Sequence, residues 1–155
     1  MVIASVSLTV LTTPLHAQEA KTAKFEADNA AYCAASYGMI IEYLGKALQP
    51  ETTAQAEIAL MMWNYELDSA MANASEQEYS NMVKQALQKI EGELTPFENT
   101  QESYNTFVDE ITSKASTCQK QLSATYPKIE DHPVVAFIQE LAAAERAAQT
   151  TPQAN

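Results

Sequence analysis

The chain has 155 residues and a formal net charge of −11, from 20 acidic and 9 basic side chains. This excess of carboxylates argues against nucleic acid and anionic membrane surfaces as partners, because their phosphates would repel it. The length suits one domain, and an apolar fraction of 46% is enough to form a packed core. Since the sequence holds only three glycines and is rich in alanine and glutamate, it favours helices over a turn-rich β fold.

The first 17 residues have the pattern of an export signal. An apolar run from Val2 to Leu11 is followed by Pro14 and by the small residue Ala17 at the expected cleavage point. The run is too short to span a bilayer comfortably, so no stable membrane insertion is expected after processing. We therefore predict a signal peptide over residues 1–17 and a periplasmic or secreted mature protein.

Two long helices are predicted next. The first covers residues 25–48, and the second is expected to begin at a capping box of Thr52 and Gln55 and to run to about Ala74. Because apolar residues occupy more than one side of the second helix, we expect it to be central or to be contacted on two sides. The apolar stripe of the first helix consists of Ala30, Cys33, Tyr37, Ile40, Leu44 and Ala47.

Three further helices complete the chain. The third is expected to begin at the capping box of Ser75 and Glu78 and to end at Gly92 in a left-handed conformation. The fourth is expected to begin at Thr95 and Pro96 and to stop before Pro127. After a connection over residues 127–133, a shorter fifth helix carries one apolar face, formed by Val134, Phe137, Ile138, Leu141 and Ala144.

These elements predict an all-α protein. Short connections favour an antiparallel up-down-up-down four-helix bundle, with an additional short C-terminal helix laid across one end or flank. The bundle domain is predicted to cover residues 18–148, and residues 149–155 are predicted to form a flexible C-terminal tail.

The two cysteines test this topology. Cys33 lies eight residues after Phe25, and Cys118 lies seven residues before Thr125. At a rise of 1.5 Å per residue, both lie roughly 10–12 Å from the end that antiparallel first and fourth helices share. The sequence therefore predicts a Cys33–Cys118 disulfide in an oxidising compartment. The alternative is two separate buried thiols, since cysteine often packs as a small apolar residue.

The chain offers few residues for catalysis or for metal binding. His132 is the single histidine after processing, and its place in a connection predicts a surface position. Zinc sites need three or four ligands, and catalytic motifs are missing, so we predict no enzyme activity, no metal site and no cofactor. Five methionines, Met39, Met61, Met62, Met71 and Met82, could bind Cu(I), but core packing is the favoured interpretation of Met39, Met61, Met62 and Met82.

The functional hypothesis is an exported, non-enzymatic helical bundle that binds another protein, in an inhibitor, immunity-type or chaperone-like role. Tyr32, Tyr43 and Trp63 suggest an exposed aromatic patch for such a partner. Alternatively, these three aromatic residues pack against the fifth helix. The alternative function is a carrier of haem or copper, held by methionines and His132 within the bundle.

The export hypothesis is tested by the mass of the mature protein. When the full chain is expressed in a Gram-negative bacterium, we expect the periplasmic fraction to contain a protein that begins at Gln18. A chain in which Met directly precedes Gln18 is the control and should remain in the cytoplasm. Recovery of the full chain uncleaved and in the cytoplasm would contradict the hypothesis.

Overall fold

The computed structural model describes residues 23–96 and 98–150, so the predicted signal peptide and the end of the predicted tail lie outside the described residues. Over these residues the protein is all-α, as predicted. A single 3₁₀ turn, Ile129–Asp131, precedes the last helix. The five helices are α1 (Ala27–Leu44), α2 (Pro50–Ala70), α3 (Glu76–Glu93), α4 (Gln101–Thr125) and α5 (Pro133–Thr150).

The centre of the fold is α1, which packs against α2, α3 and α4. Half of its 18 residues are buried, including the small side chains of Ala30, Ala31 and Ala34, which let neighbouring helices approach closely. The prediction that α2 is central is therefore wrong. The other expectation for α2 is confirmed, since it is contacted on two sides, by α1 and by α5.

Local capping signals were partly correct. The capping box of Ser75 and Glu78 is present, with the backbone N–H of Ser75 donating to Glu78 Oε2 at 2.8 Å and that of Glu78 donating to Ser75 Oγ at 3.3 Å. The capping box at Thr52 is wrong, because α2 already begins at Pro50, a residue that suits a first helical position. The left-handed Gly92 is also wrong, since α3 continues through Gly92 and none of the described glycines has a positive φ.

The predicted start of α4 is wrong by several residues. Thr100 is the N-cap, and its Oγ1 accepts a hydrogen bond from the backbone N–H of Ser103 at 3.1 Å. Thr95 does not cap the helix. Its N–H and hydroxyl donate to the Glu110 carboxylate at 2.7 and 2.5 Å, which ties the α3–α4 connection to the side of α4.

The fifth helix is longer than predicted. With 18 residues it equals α1 and α3, because the alanine-rich sequence from Ala142 onward continues the helix. It includes residues 149 and 150, which the sequence assigned to the flexible tail. Near its start Val134 and Val135 pack against the core, and the helix contacts α2 and the 3₁₀ turn. The helix thus lies on a flank of the bundle.

A disulfide joins α1 to α4, as predicted from the equal distances of the two cysteines from the end that these helices share. Cys33 and Cys118 are bonded, with their Cα atoms 5.6 Å apart, and both are buried. The alternative of two free thiols is therefore wrong.

Hydrogen bonds on both sides of the disulfide fix the direction of the two helices. Asn29 Nδ2 donates to Gln121 Oε1 at 2.8 Å, and the Tyr37 hydroxyl lies 3.2 Å from the backbone oxygen of Ala115. From Asn29 through Cys33 to Tyr37 the residue numbers rise along α1, while the numbers of their contact partners in α4 fall from 121 through 118 to 115. The two helices are therefore antiparallel.

Replacing both cysteines tests how much this bond stabilises the fold. The disulfide spans 85 residues of sequence, and the chain-entropy model assigns such a loop about 4–5 kcal/mol. We expect the Cys33→Ala/Cys118→Ala variant to lose that free energy of unfolding, measured with urea. The wild type in reductant should behave like the variant. A loss below about 1 kcal/mol would show that the bond does little to stabilise the fold.

Candidate functional site

His132 is buried, so the prediction of a surface histidine is wrong. Its side chain is 0% exposed. The 3₁₀ turn before it bends the connection, with the backbone N–H of His132 donating to the oxygen of Ile129 at 3.1 Å. Because of this bend the imidazole points inward instead of into solvent.

Three elements meet around the imidazole. His132 Nε2 lies 3.2 Å from Oε1 of Glu66 in α2, and the hydroxyl of Tyr126, at the end of α4, donates to the same oxygen at 2.6 Å. The rings of Tyr65 and Tyr126 stand edge-on to the imidazole, with centroids 5.4 and 4.7 Å away. We call Glu66, Tyr126 and His132 the buried cluster.

The protonation of the imidazole follows from its contacts. Nδ1 accepts a hydrogen bond from the backbone N–H of Val134 at 3.2 Å, so His132 caps the first turn of α5. An acceptor nitrogen carries no proton, which places the proton of the neutral ring on Nε2, facing Glu66. The Nε2 contact lies off the line of a straight hydrogen bond, and its attraction to the carboxylate is mainly electrostatic.

The Glu66 carboxylate is 1% exposed, yet it stays ionised. Burial alone raises its pKa, but the close contact with the His132 imidazole, the hydrogen bond from the Tyr126 hydroxyl and the backbone N–H of Lys24 outweigh burial, so the pKa lies below its ordinary value. Burial, together with Glu66, raises the pKa of Tyr126, which therefore remains a proton donor. The cluster is a polar contact that holds α2, the end of α4 and the start of α5 together.

Sequence reasoning missed Glu66. It lies three and four residues after Trp63 and Met62, on the broad apolar face of α2, where a carboxylate is unexpected. An acid within an apolar face signals a buried partner, and His132 is the single histidine after residue 17. The sequence thus signals a buried acid at Glu66, although no local pattern gives its partner.

The residues considered for metal binding are spread through the core. Met39 and Met62 are buried, Met71 and Met82 pack against the core, and Met61 is 42% exposed. Met39, Met62 and Met82 therefore pack as predicted, and Met61 does not. Among the described residues no group of three or more His, Cys, Asp or Glu side chains is placed to hold a metal ion.

The predicted aromatic patch does not form. Trp63 is fully buried against the ring of Phe25, 4.7 Å away. The Tyr32 hydroxyl donates to Glu93 in α3 at 2.6 Å, and the exposed Tyr43 meets Phe107 of α4 edge-on at 5.5 Å. These contacts place Tyr32 and Tyr43 beside α3 and α4, so the alternative of packing against α5 is also wrong for these two residues.

An apolar surface does lie along α5. Phe137 is 58% exposed and Leu141 is 50% exposed, and the two are one helical turn apart. Ala144, three residues further, is also exposed. We call Phe137, Leu141 and Ala144 the α5 stripe. Ile129, 48% exposed in the 3₁₀ turn, lies just before the helix.

A cleft of about 490 Å³ is a second candidate site. It opens between the α3–α4 connection and the end of α1, and Glu91 is the one charged side chain among the described residues that line it. Its other lining residues are Met39, Tyr43, Leu94, Thr95, Pro96, Tyr104 and Phe107.

Comparisons with known proteins identify no relative. No family model, no curated protein and no solved structure matches this chain. None of the described helices is long and apolar enough to cross a membrane.

The Glu66→Gln substitution tests the buried cluster through its pH dependence. Because the pKa of Glu66 is lower in the folded state, the unfolded state binds more protons in acid, and stability falls as the pH drops below about 4.5. At pH 7 we expect the variant to lose about 1–3 kcal/mol of the free energy of unfolding. This difference from the wild type should shrink as the pH falls through the folded-state pKa.

The control is Glu57→Gln, at an exposed position of the same helix. Its free energy of unfolding should differ little from that of the wild type at both pH 7 and pH 3. A Glu66→Gln difference that stays constant with pH would contradict an ionised Glu66.

Proposed function

We propose that this protein is an exported, non-enzymatic helical bundle that binds another protein through the α5 stripe, in an inhibitor, immunity-type or chaperone-like role. The observation that carries the proposal is the exposure of Phe137 and Leu141 on one face of a helix whose first turn packs against the core.

The two side chains have the character of interface anchors. Aromatic residues with a large apolar area often dominate binding energy when a partner covers them. Fully burying a Phe or Leu side chain is worth roughly 1.5–3 kcal/mol each. Since Phe137 and Leu141 are already about half buried, a partner would gain part of that amount.

The position of α5 also favours binding. The buried cluster anchors its first turn, and Val134 and Val135 pack against the core. A surface that is already ordered loses less conformational entropy on association. The start of α5, just before the stripe, is therefore fixed on the bundle.

Export is supported by two independent features. The first 17 residues resemble a signal peptide, and the Cys33–Cys118 bond is of the kind that persists in oxidising compartments. We therefore propose a periplasmic or secreted location.

The alternative, a haem or copper carrier, has less support from His132. Nδ1 accepts the Val134 N–H and Nε2 faces Glu66, so a ligating His132 would first have to leave the buried cluster. Absorbance spectra and metal analysis of protein purified from the periplasm would detect such a carrier directly.

Site-specific photo-crosslinking tests the proposed function. With a photoreactive phenylalanine analogue at position 137, we expect ultraviolet light to join the protein to one partner in intact cells. The matched control carries the analogue at Tyr43, which is equally exposed but lines the cleft. If only position 43 yields a product, the cleft is the binding surface. If neither position yields one, the proposed function is contradicted.

A further inference from the structure

We infer that the partner presents a basic amphipathic helix, which lies along α5 with its apolar face on Phe137 and Leu141. This inference rests on the proposed function and names the chemistry of the partner. It follows from the charges beside the stripe, from the spacing of the stripe and from the charge of the whole molecule.

Carboxylates lie at the edge of the stripe and near the start of α5. At about 100° per residue Glu140 lies about 60° around α5 from Phe137, on the edge of the stripe. Glu130 and Asp131 belong to the 3₁₀ turn, which lies against α5. All three are exposed, and within the described residues their carboxylates form no hydrogen bond or ion pair. They are available to cationic side chains of a partner.

The spacing of the stripe fits a helix. Phe137, Leu141 and Ala144 follow one another at steps of four and three residues, which forms a straight ridge about 10 Å long. Ala144 ends the ridge with a small side chain, which lets a second helix approach closely there. A partner helix that carries apolar residues at the same steps would cover the ridge.

The charge of the molecule favours a basic partner over a second copy. Each chain carries a formal charge of −11, and pairing two α5 helices would bring Glu130, Asp131 and Glu140 near a surface of the same sign. Like charges placed together oppose association, whereas a cationic helix would be attracted and oriented by them. Binding should then weaken as salt increases.

A pair of labelled peptides tests the inference by fluorescence anisotropy. One is a 14-residue amphipathic helix of Leu and Lys, and the other has Glu in place of each Lys. We expect the Lys peptide to bind the full protein and the Glu peptide not to bind. The Phe137→Ala/Leu141→Ala variant should bind the Lys peptide at least 10-fold more weakly.

Two further variants separate charge from apolar contact. Glu130→Gln/Asp131→Asn/Glu140→Gln should weaken binding several-fold and flatten its salt dependence. The matched control is Met61→Ala/Leu87→Ala, which removes exposed apolar residues from α2 and α3 and should change affinity less than twofold.

Several outcomes would overturn the inference. The first is equal binding of the two peptides. The second is that the control variant loses as much affinity for the Lys peptide as the Phe137→Ala/Leu141→Ala variant does. The third is an undiminished affinity in the Phe137→Ala/Leu141→Ala variant. Self-association of the wild type that this variant abolishes would identify a second copy as the occupant. If position 137 crosslinks a partner but the Lys peptide fails to bind, the proposed function stands and the basic chemistry is wrong.

Discussion

The ionised carboxylate of Glu66, held inside the protein, is the constraint on which the position of α5 depends. A charge removed from water is costly unless partners surround it. Here the partners come from other parts of the chain, namely the Tyr126 hydroxyl and the His132 imidazole. The end of α4 and the start of α5 must therefore both reach α2. Satisfying one buried charge thus sets where the last helix begins.

The remainder of the fold holds α2 and α4 in place for this contact. Both helices pack on α1, which is central, and the Cys33–Cys118 bond ties α4 to it. Since α5 has few other contacts with the bundle, the buried cluster determines the direction in which α5 leaves it. The apolar residues beyond that cluster remain uncovered, and the proposed binding surface is a consequence of this arrangement.

Much of the fold could be predicted because local rules determine it. Apolar spacing located the helices, and the rise per residue placed Cys33 opposite Cys118. Helix ends were less predictable, since Thr95 bonds to Glu110 instead of capping α4. The buried histidine was missed because its position in a polar connection resembles a surface loop. Its burial depends on Glu66, 66 residues earlier in the chain, and no local pattern encodes that contact.

Nitrogen-15 NMR of the His132 imidazole tests the central claim most directly, because the two ring nitrogens report their protons separately. The account predicts that Nδ1 accepts the Val134 N–H and that Nε2 carries the ring proton, with nuclear Overhauser contacts from the ring to Tyr65 and Tyr126. A ring that exchanges between tautomers and shows no contact with either tyrosine would mean that α5 is not anchored at Glu66, and would contradict the account.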